Sequence, residues 1–277
     1  MTRRPASAGS GDTWPAAATC RPAARPRRGV TLVEMLVTIG VIALLLGLLM
    51  PALASVRAAA KASICQSNQR QMSTAAWAHV AQQDAFPAAL AYVQVDGMLV
   101  QRAWDWETPA FGEGLIGPGL LWRFTNPGEA MQCAVYEGPA NAPGDPFTGY
   151  NYNTSFIGDE EAFTTSGDGP VRRGVRPAHC RRASMCAMFG CGGYGAGANK
   201  FMRAPSLQAG GESLAAVYAG AQAYRHAGET VVCYIDGHVG KVGRAHAGEH
   251  ATEAMLGLMG FPKNGFLSAD DAMYDPR

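Results

Sequence analysis

The sequence predicts an α+β fold in which a long N-terminal helix crosses a membrane and then packs on an antiparallel β-sheet. Three observations carry this. Residues 30–56 form an apolar run whose only charge is Glu34. The following residues, to Gln83, are rich in Ala, Gln, Arg and Met and contain no Gly or Pro, a helical composition. From Asp84 onwards, short apolar runs alternate with Gly, Pro and Asn clusters, the pattern of strands and turns. Composition sets the outer bounds. The 277 residues carry 23 Lys+Arg against 22 Asp+Glu, too balanced for a basic nucleic-acid surface. With 48% apolar residues, the whole chain is not disordered.

Each segment has its own logic. Residues 1–29 hold six Arg (Arg3, Arg4, Arg21, Arg25, Arg27, Arg28) and one acid, Asp12, in a Pro-, Ala- and Gly-rich setting, and read as an unstructured cytoplasmic leader. The remaining residues, 17 basic and 21 acidic, are mildly acidic. Residues 30–54 are long enough, at about 1.5 Å per residue, to span the hydrocarbon core. A cleaved secretory h-region is shorter and ends in a small-residue site. A buried core helix would need neighbours on all sides. The basic leader sets a cytoplasmic N-terminus and an exported C-terminal domain, hence a single-pass membrane protein. Residues 55–83 continue the helix, kinked at Pro51. Val56, Ala60, Ile64, Met72, Ala76 and Val80 recur at multiples of four as its apolar face, interrupted by Asn68. Residues 84–277 form the β-rich domain. Its clearest hairpin sets Val231–Ile235 against His238–Val242 across Asp236-Gly237, a dipeptide suited to a type I′ turn.

The chemistry-bearing residues concentrate at the membrane boundary, in Arg27-Arg28-Gly29-Val30-Thr31-Leu32-Val33-Glu34. A carboxylate within an apolar span costs roughly 2.5–3.5 kcal/mol at mid-bilayer and less near an interface, so Glu34 calls for a reason. Together with Gly29 and the basic pair, the string resembles the processing signal of type IV pilins and type II secretion pseudopilins. The resemblance implies cleavage by a prepilin peptidase after Gly29, N-methylation of Val30, and an assembly contact from Glu34 to the amino terminus of a neighbouring subunit. Val30 stands where Phe or Met is usual, and a 29-residue leader is long for the family.

Further along, Cys65-Gln66-Ser67-Asn68-Gln69-Arg70-Gln71, followed by Phe86-Pro87, is similar to the Cys-x-x-Asn-Leu-Arg-Gln and Tyr-Pro stretches of a pseudopilin-like group best known from planctomycetes and related bacteria. Residues 117–122, Gln132-Cys133 and Gly149-Tyr150-Asn151-Tyr152-Asn153 match later stretches of that group in order. So does its H-x9-DG signature, here His226, Asp236 and Gly237. Gln69 and Ala134 depart from the pattern. Implied partners are the prepilin peptidase, other pseudopilin subunits, the inner-membrane secretion machinery and membrane lipid, without nucleic acid. His226, Asp236 and Gly237 are expected to be structural, with His226 packed beside the hairpin on backbone groups.

Other motifs are weaker. The six cysteines that follow the leader, Cys65, Cys133, Cys180, Cys186, Cys191 and Cys233, are candidates for disulfides in an oxidising compartment, with Cys65 and Cys133 one pairing of helix to sheet. Cys180, Cys186 and Cys191 are spaced too widely for paired Cys-x-x-Cys zinc knuckles. His246 and His250 read as solvated, and Asp159-Glu160-Glu161 and Asp270-Asp271 lack the spacing of an EF-hand. Gly190–Gly197 lacks the Lys-Ser/Thr of a phosphate loop and reads as a flexible surface loop. No catalytic residue, metal site or cofactor is expected, and the chain reads as a non-enzyme. Two rivals stand beside this. One is a membrane-anchored binding or surface protein presenting Trp104, Trp106 and Trp122; the other is an anchored hydrolase using His226 and Asp236.

Overall fold

The structure, a computed structural model, describes residues 29–112, 114, 117–125, 132–139, 149–158, 174–206 and 213–277. The leader before Gly29 and the acidic triplet Asp159-Glu160-Glu161 lie outside them. The chain divides into two compact units between Met50 and Pro51. Helix α1, Leu32–Gln83, runs unbroken through Pro51. It is the one helix among the described residues long and apolar enough to cross a membrane. Its apolar side chains from Leu32 to Leu53 are exposed. A helix with no polar face leaves that surface for lipid or for other helices.

In the second unit, the buried residues of α1 are Ala62, Cys65, Asn68, Gln69, Met72, Ser73, Ala75, Ala76 and His79. Alternate steps of three and four keep Ala62, Cys65, Gln69, Met72, Ala76 and His79 on one face of a 3.6-residue helix. This corrects the expected stripe. Steps of four drift by about 40° each, and Val56 and Ile64 are exposed whereas Asn68 is buried. Small and polar residues occupy the face because specific hydrogen bonds are made there.

Strands β1 (Leu90–Val95), β2 (Met98–Ala103), β3 (Trp106–Pro109) and β4 (Gly117–Pro118) form an antiparallel sheet in sequence order. The β1–β2 loop is Asp96-Gly97 with φ of 49° and 80°, the two positive values a type I′ turn requires.

The second sheet contains β5 (Asn151–Asn153), β6 (Ala187–Gly190), β7 (Phe201–Met202), β9 (Thr230–Tyr234) and β10 (Val239–Val242) in the order β10-β9-β6-β5-β7. Its pairs are antiparallel except β5–β7, which is parallel. The remaining elements are helices α2 (Leu214–Ala219) and α3 (Glu253–Met259) and the short pair β8 (Gln222–Ala223) and β11 (Asn264–Gly265).

Residues of β9 alternate between two cores, as the strand period of two demands. Val231 and Cys233 join Cys65, Met72 and Ala76 of α1 with Phe86, Trp104, Tyr152 and Phe189. Val232 joins Val217 and Tyr218 of α2, Met259 of α3, Phe266 and Tyr274. The five-stranded sheet is thus covered by α1 on one face and by α2 and α3 on the other.

The β9–β10 hairpin forms across Asp236-Gly237 with a different turn from the one expected. Gly237 has φ of 88°, but Asp236 is not in the left-handed region. The Gly237 N–H donates to Tyr234 O, and the Tyr234 N–H donates to His238 O. This is a three-residue loop closed by a left-handed glycine. The Asp236 carboxylate fixes it by accepting from the His238 backbone N–H at 3.1 Å and lying 2.6 Å from His238 Nδ1. A two-residue turn with both φ positive occurs earlier, at Ala227-Gly228, where His226 and Glu229 bridge.

Candidate functional site

Two sites emerge, one in each unit. At the N-terminal end, Gly29 and Val30 precede the first turn of α1. Among the described residues, a Cβ on Gly29 would meet nothing within 4 Å, and its φ is not positive, so neither packing against them nor backbone geometry explains a glycine there. Thr31 and Glu34 form a reciprocal cap. The Thr31 backbone N–H donates to Glu34 Oε2 at 2.8 Å, and the Glu34 N–H donates to Thr31 Oγ1 at 3.2 Å. The Thr31 hydroxyl also donates to Glu34 Oε2 at 2.9 Å. This capping box satisfies two of the helix's orphan amides. The Thr-x-x-Glu spacing before an apolar run was its signal in the sequence. Glu34 therefore has hydrogen-bond donors inside the single chain, both of them neutral groups of Thr31.

The second site lies where the C-terminal end of β6 meets the N-terminal end of β9, against α1. Cys65 comes from α1, Cys133 from the segment 132–139, Cys191 from the residue after β6, and His226 from the tight turn before β9. All four are buried, and their donor atoms lie within 4.8 Å of one another. Sγ of Cys65 is 3.3 Å from Sγ of Cys191. His226 Nε2 is 3.4 Å from Sγ of Cys191 and 4.0 Å from Sγ of Cys133.

The surrounding residues hold these side chains in place. Asn68 Nδ2 donates to Gln132 O and to the Tyr150 hydroxyl, both at 3.1 Å, tying the Cys133 segment to α1. Gln69 Nε2 donates to Val231 O at 3.0 Å and lies 3.7 Å from Sγ of Cys191. Arg225 stacks over the Tyr136 ring at 4.9 Å and donates to Gly192 O. It thus touches a neighbour of Cys133 and the residue after Cys191.

The electrostatics follow from crowding in a dry place. Burial pushes the Cys191 thiol well above its ordinary 9.0. A hydrogen bond shared with Cys133 is the first cause that pushes Cys65 up to about 12. Hydrogen bonds from Cys191 and then Cys65 hold the Cys133 thiol far down, with His226 and the Arg225 charge acting in the same direction.

No disulfide joins the six described cysteines in the structure; Cys65 and Cys133, expected as one possible pairing, share a site with Cys191 and His226. The ring of His226 faces sulfur, not the backbone groups expected for it; its main chain makes the backbone pairing, with Glu229. The other cysteines stand apart from the cluster. Cys186 donates to Tyr274 O at 2.9 Å, Cys180 to Arg176 O at 3.7 Å and Cys233 to Tyr234 O at 3.6 Å.

The glycine-rich stretch 190–197 reaches the surface only in its second half, where Gly195 and Ala196 are exposed. Residues 190–193 are buried, and a Cβ on Gly192 would lie 2.5 Å from Asn199 O. Trp104 and Trp122 are core residues, and Trp106 is half-buried, so the three do not form an exposed aromatic platform. His246 pairs its backbone with Phe266, and neither it nor His250 joins a cluster of three or more metal-donor side chains among the described residues. Asp270 and Asp271 accept from the backbone N–H groups of Ala272 and Ser206.

Against known proteins, residues 24–50 match a family model described as the prokaryotic N-terminal methylation motif. The chain therefore carries a type IV pilin-like prepilin signal, spanning the basic residues, Gly29 and the start of α1. No curated protein and no solved structure matches the chain.

Proposed function

We propose that this chain is a pseudopilin-like subunit of the group defined by the H-x9-DG signature. A prepilin peptidase cuts after Gly29 on the cytoplasmic side, Val30 becomes the methylated terminus, and α1 holds the subunit in the inner membrane with its body in the periplasm. Subunits then polymerise into a short fibre of a type II secretion-like machine, with the Glu34 carboxylate contacting the Val30 amino group of a neighbour. The subunit itself is not an enzyme and takes its work from the machine.

The observation that carries this reading is the match over residues 24–50 joined to an apolar helix whose side chains are exposed in the single chain. Such a surface finds partners in lipid and in like helices. The absence of any packing reason for Gly29 supports recognition by a peptidase. Mass spectrometry of the N-terminal peptide from membranes tests it. The expected terminus is N-methyl-Val30, lost in Gly29→Ala. An intact leader, or a cut beyond Met50, would overturn the reading.

A further inference from the structure

We infer that Cys65, Cys133, Cys191 and His226 form a structural zinc site that staples α1 to the β-rich body. The argument begins with donor chemistry. Three thiols and one imidazole are a standard closed zinc set. Around a tetrahedral centre with Zn–S of about 2.3 Å and Zn–N of about 2.0 Å, sulfurs sit about 3.8 Å apart and sulfur lies about 3.6 Å from nitrogen. Cys65 and Cys191 sulfurs are 3.3 Å apart. Nε2 of His226 is 3.4 Å from Sγ of Cys191 and 4.0 Å from Sγ of Cys133. A disulfide needs sulfurs about 2.05 Å apart, and would use two of the three thiols while leaving the third and the imidazole without a purpose. All four donor atoms lie within 4.8 Å of one another, close enough for a single cation to bridge them.

The setting also fits. The four residues are buried, so the site has no open position for substrate, the mark of a structural centre. On binding, the three thiols release their protons, and three thiolates around Zn²⁺ with a neutral imidazole carry a net charge of −1. Arg225, which is next to His226 in sequence and bonded to Gly192 O, supplies a compensating positive charge nearby. The Gln69 amide approaches Sγ of Cys191, the kind of outer-shell donor that steadies a metal thiolate. Soft sulfur ligands in a tetrahedral arrangement favour zinc over calcium or magnesium, which prefer oxygen. Metal ligation would also keep three thiols from oxidation in an exported domain.

The function of the site is mechanical. It joins four segments that are distant in sequence, and it ties the soluble part of α1 to the ends of β6 and β9. It is independent of processing and polymerisation, so it survives failure of the assembly proposal and can fail alone.

The test uses the full chain in detergent. Elemental analysis of protein purified without chelators is expected to find about one zinc per chain. Cobalt exchange is expected to give the absorption of a tetrahedral, thiolate-bound ion, a readout that needs no variant to fold. Cys133→Ser and His226→Ala are expected to lose the zinc, whereas Cys180→Ser, outside the cluster, and His226→Cys, which supplies a fourth thiolate, retain it. Stripping the metal is expected to lower the melting temperature by at least about 5 °C. The inference is overturned by metal-free protein that also refuses cobalt, by iron or copper in place of zinc, by zinc retained in Cys133→Ser, or by a Cys65–Cys191 disulfide in protein taken from membranes.

Discussion

Replacing Glu34 by Gln and by Ala separates the two tasks of its carboxylate. In the single chain, Glu34 closes a capping box, accepting from the Thr31 N–H at 2.8 Å. A Gln side chain can serve the same position, because its amide oxygen still accepts that bond. Losing such a cap frays the first helical turn and no more. The proposed contact with a neighbour's Val30 amino group is of another size. Removing one partner of a buried ion pair costs about 3–5 kcal/mol, roughly 150- to 5,000-fold per contact. Glu34→Gln should therefore be cleaved at Gly29 like the parent but lose at least about 100-fold in assembled material. Glu34→Ala should lose the cap as well. The assay is immunoblotting of sheared or crosslinked fibres, with N-terminal mass spectrometry on the same samples. If Glu34→Gln assembles at the parent level while Glu34→Ala does not, the carboxylate acts as a cap alone and the intersubunit ion pair is wrong.

Two further outcomes follow from the body. Lys200 and Asp105 form an ion pair at 3.2 Å with both side chains about 1% exposed, linking the β2–β3 connection to the residue before β7. Lys200→Met should cost up to about 3–5 kcal/mol because it takes the cation from a buried carboxylate that also accepts the Trp106 N–H, and the double variant Lys200→Met/Asp105→Leu should recover most of that; additive losses in thermal unfolding would refute the coupling. Burial holds the Asp271 carboxyl above its ordinary 3.8 even though it accepts the Ser206 N–H. Its folded state thus binds a proton more tightly than its unfolded state. The stability it contributes is fully present below 3.8 and is lost as pH rises through the raised value. Asp271→Asn should melt increasingly above the parent as pH rises through that window, and a constant offset in melting temperature would contradict the assignment.

How much of this the sequence could show depended on distance along the chain. The apolar run, the Ala- and Gln-rich continuation to Gln83 and the Gly- and Pro-punctuated strands are local patterns, and α1 with its sheets matches the fold class they imply. Apolar character alone misplaces the helix face, because polar side chains with partners are buried there as well. Asn68, Gln69, Ser73 and His79 are buried for the hydrogen bonds and contacts they make, while Val56 and Ile64 are exposed. The Asp236 turn failed for a related reason. Asp-Gly is compatible with a type I′ turn, but the hairpin places one more residue in the loop, so that only Gly237 takes the left-handed conformation.

The thiol–imidazole cluster was hidden by separation, not by faint residues. Zinc spacing rules work because two ligands usually come from one turn or knuckle, and here each ligand comes from a different segment. Read locally, Cys65 is a small residue on a helix, Cys191 a member of a glycine run, and His226 the edge of a turn. A clue did exist in combination. Cys65, Cys133 and His226 each sit in one of the ordered stretches that carry the resemblance to a pseudopilin-like group. The glycine run supplies the fourth donor because glycines let the backbone around Cys191 approach Asn199 and Gln222 closely. The stretches around Cys65, Cys133 and His226 and the glycine run thus meet at one place. They form the segments that bring three sulfurs and one imidazole together at the junction of helix and sheet.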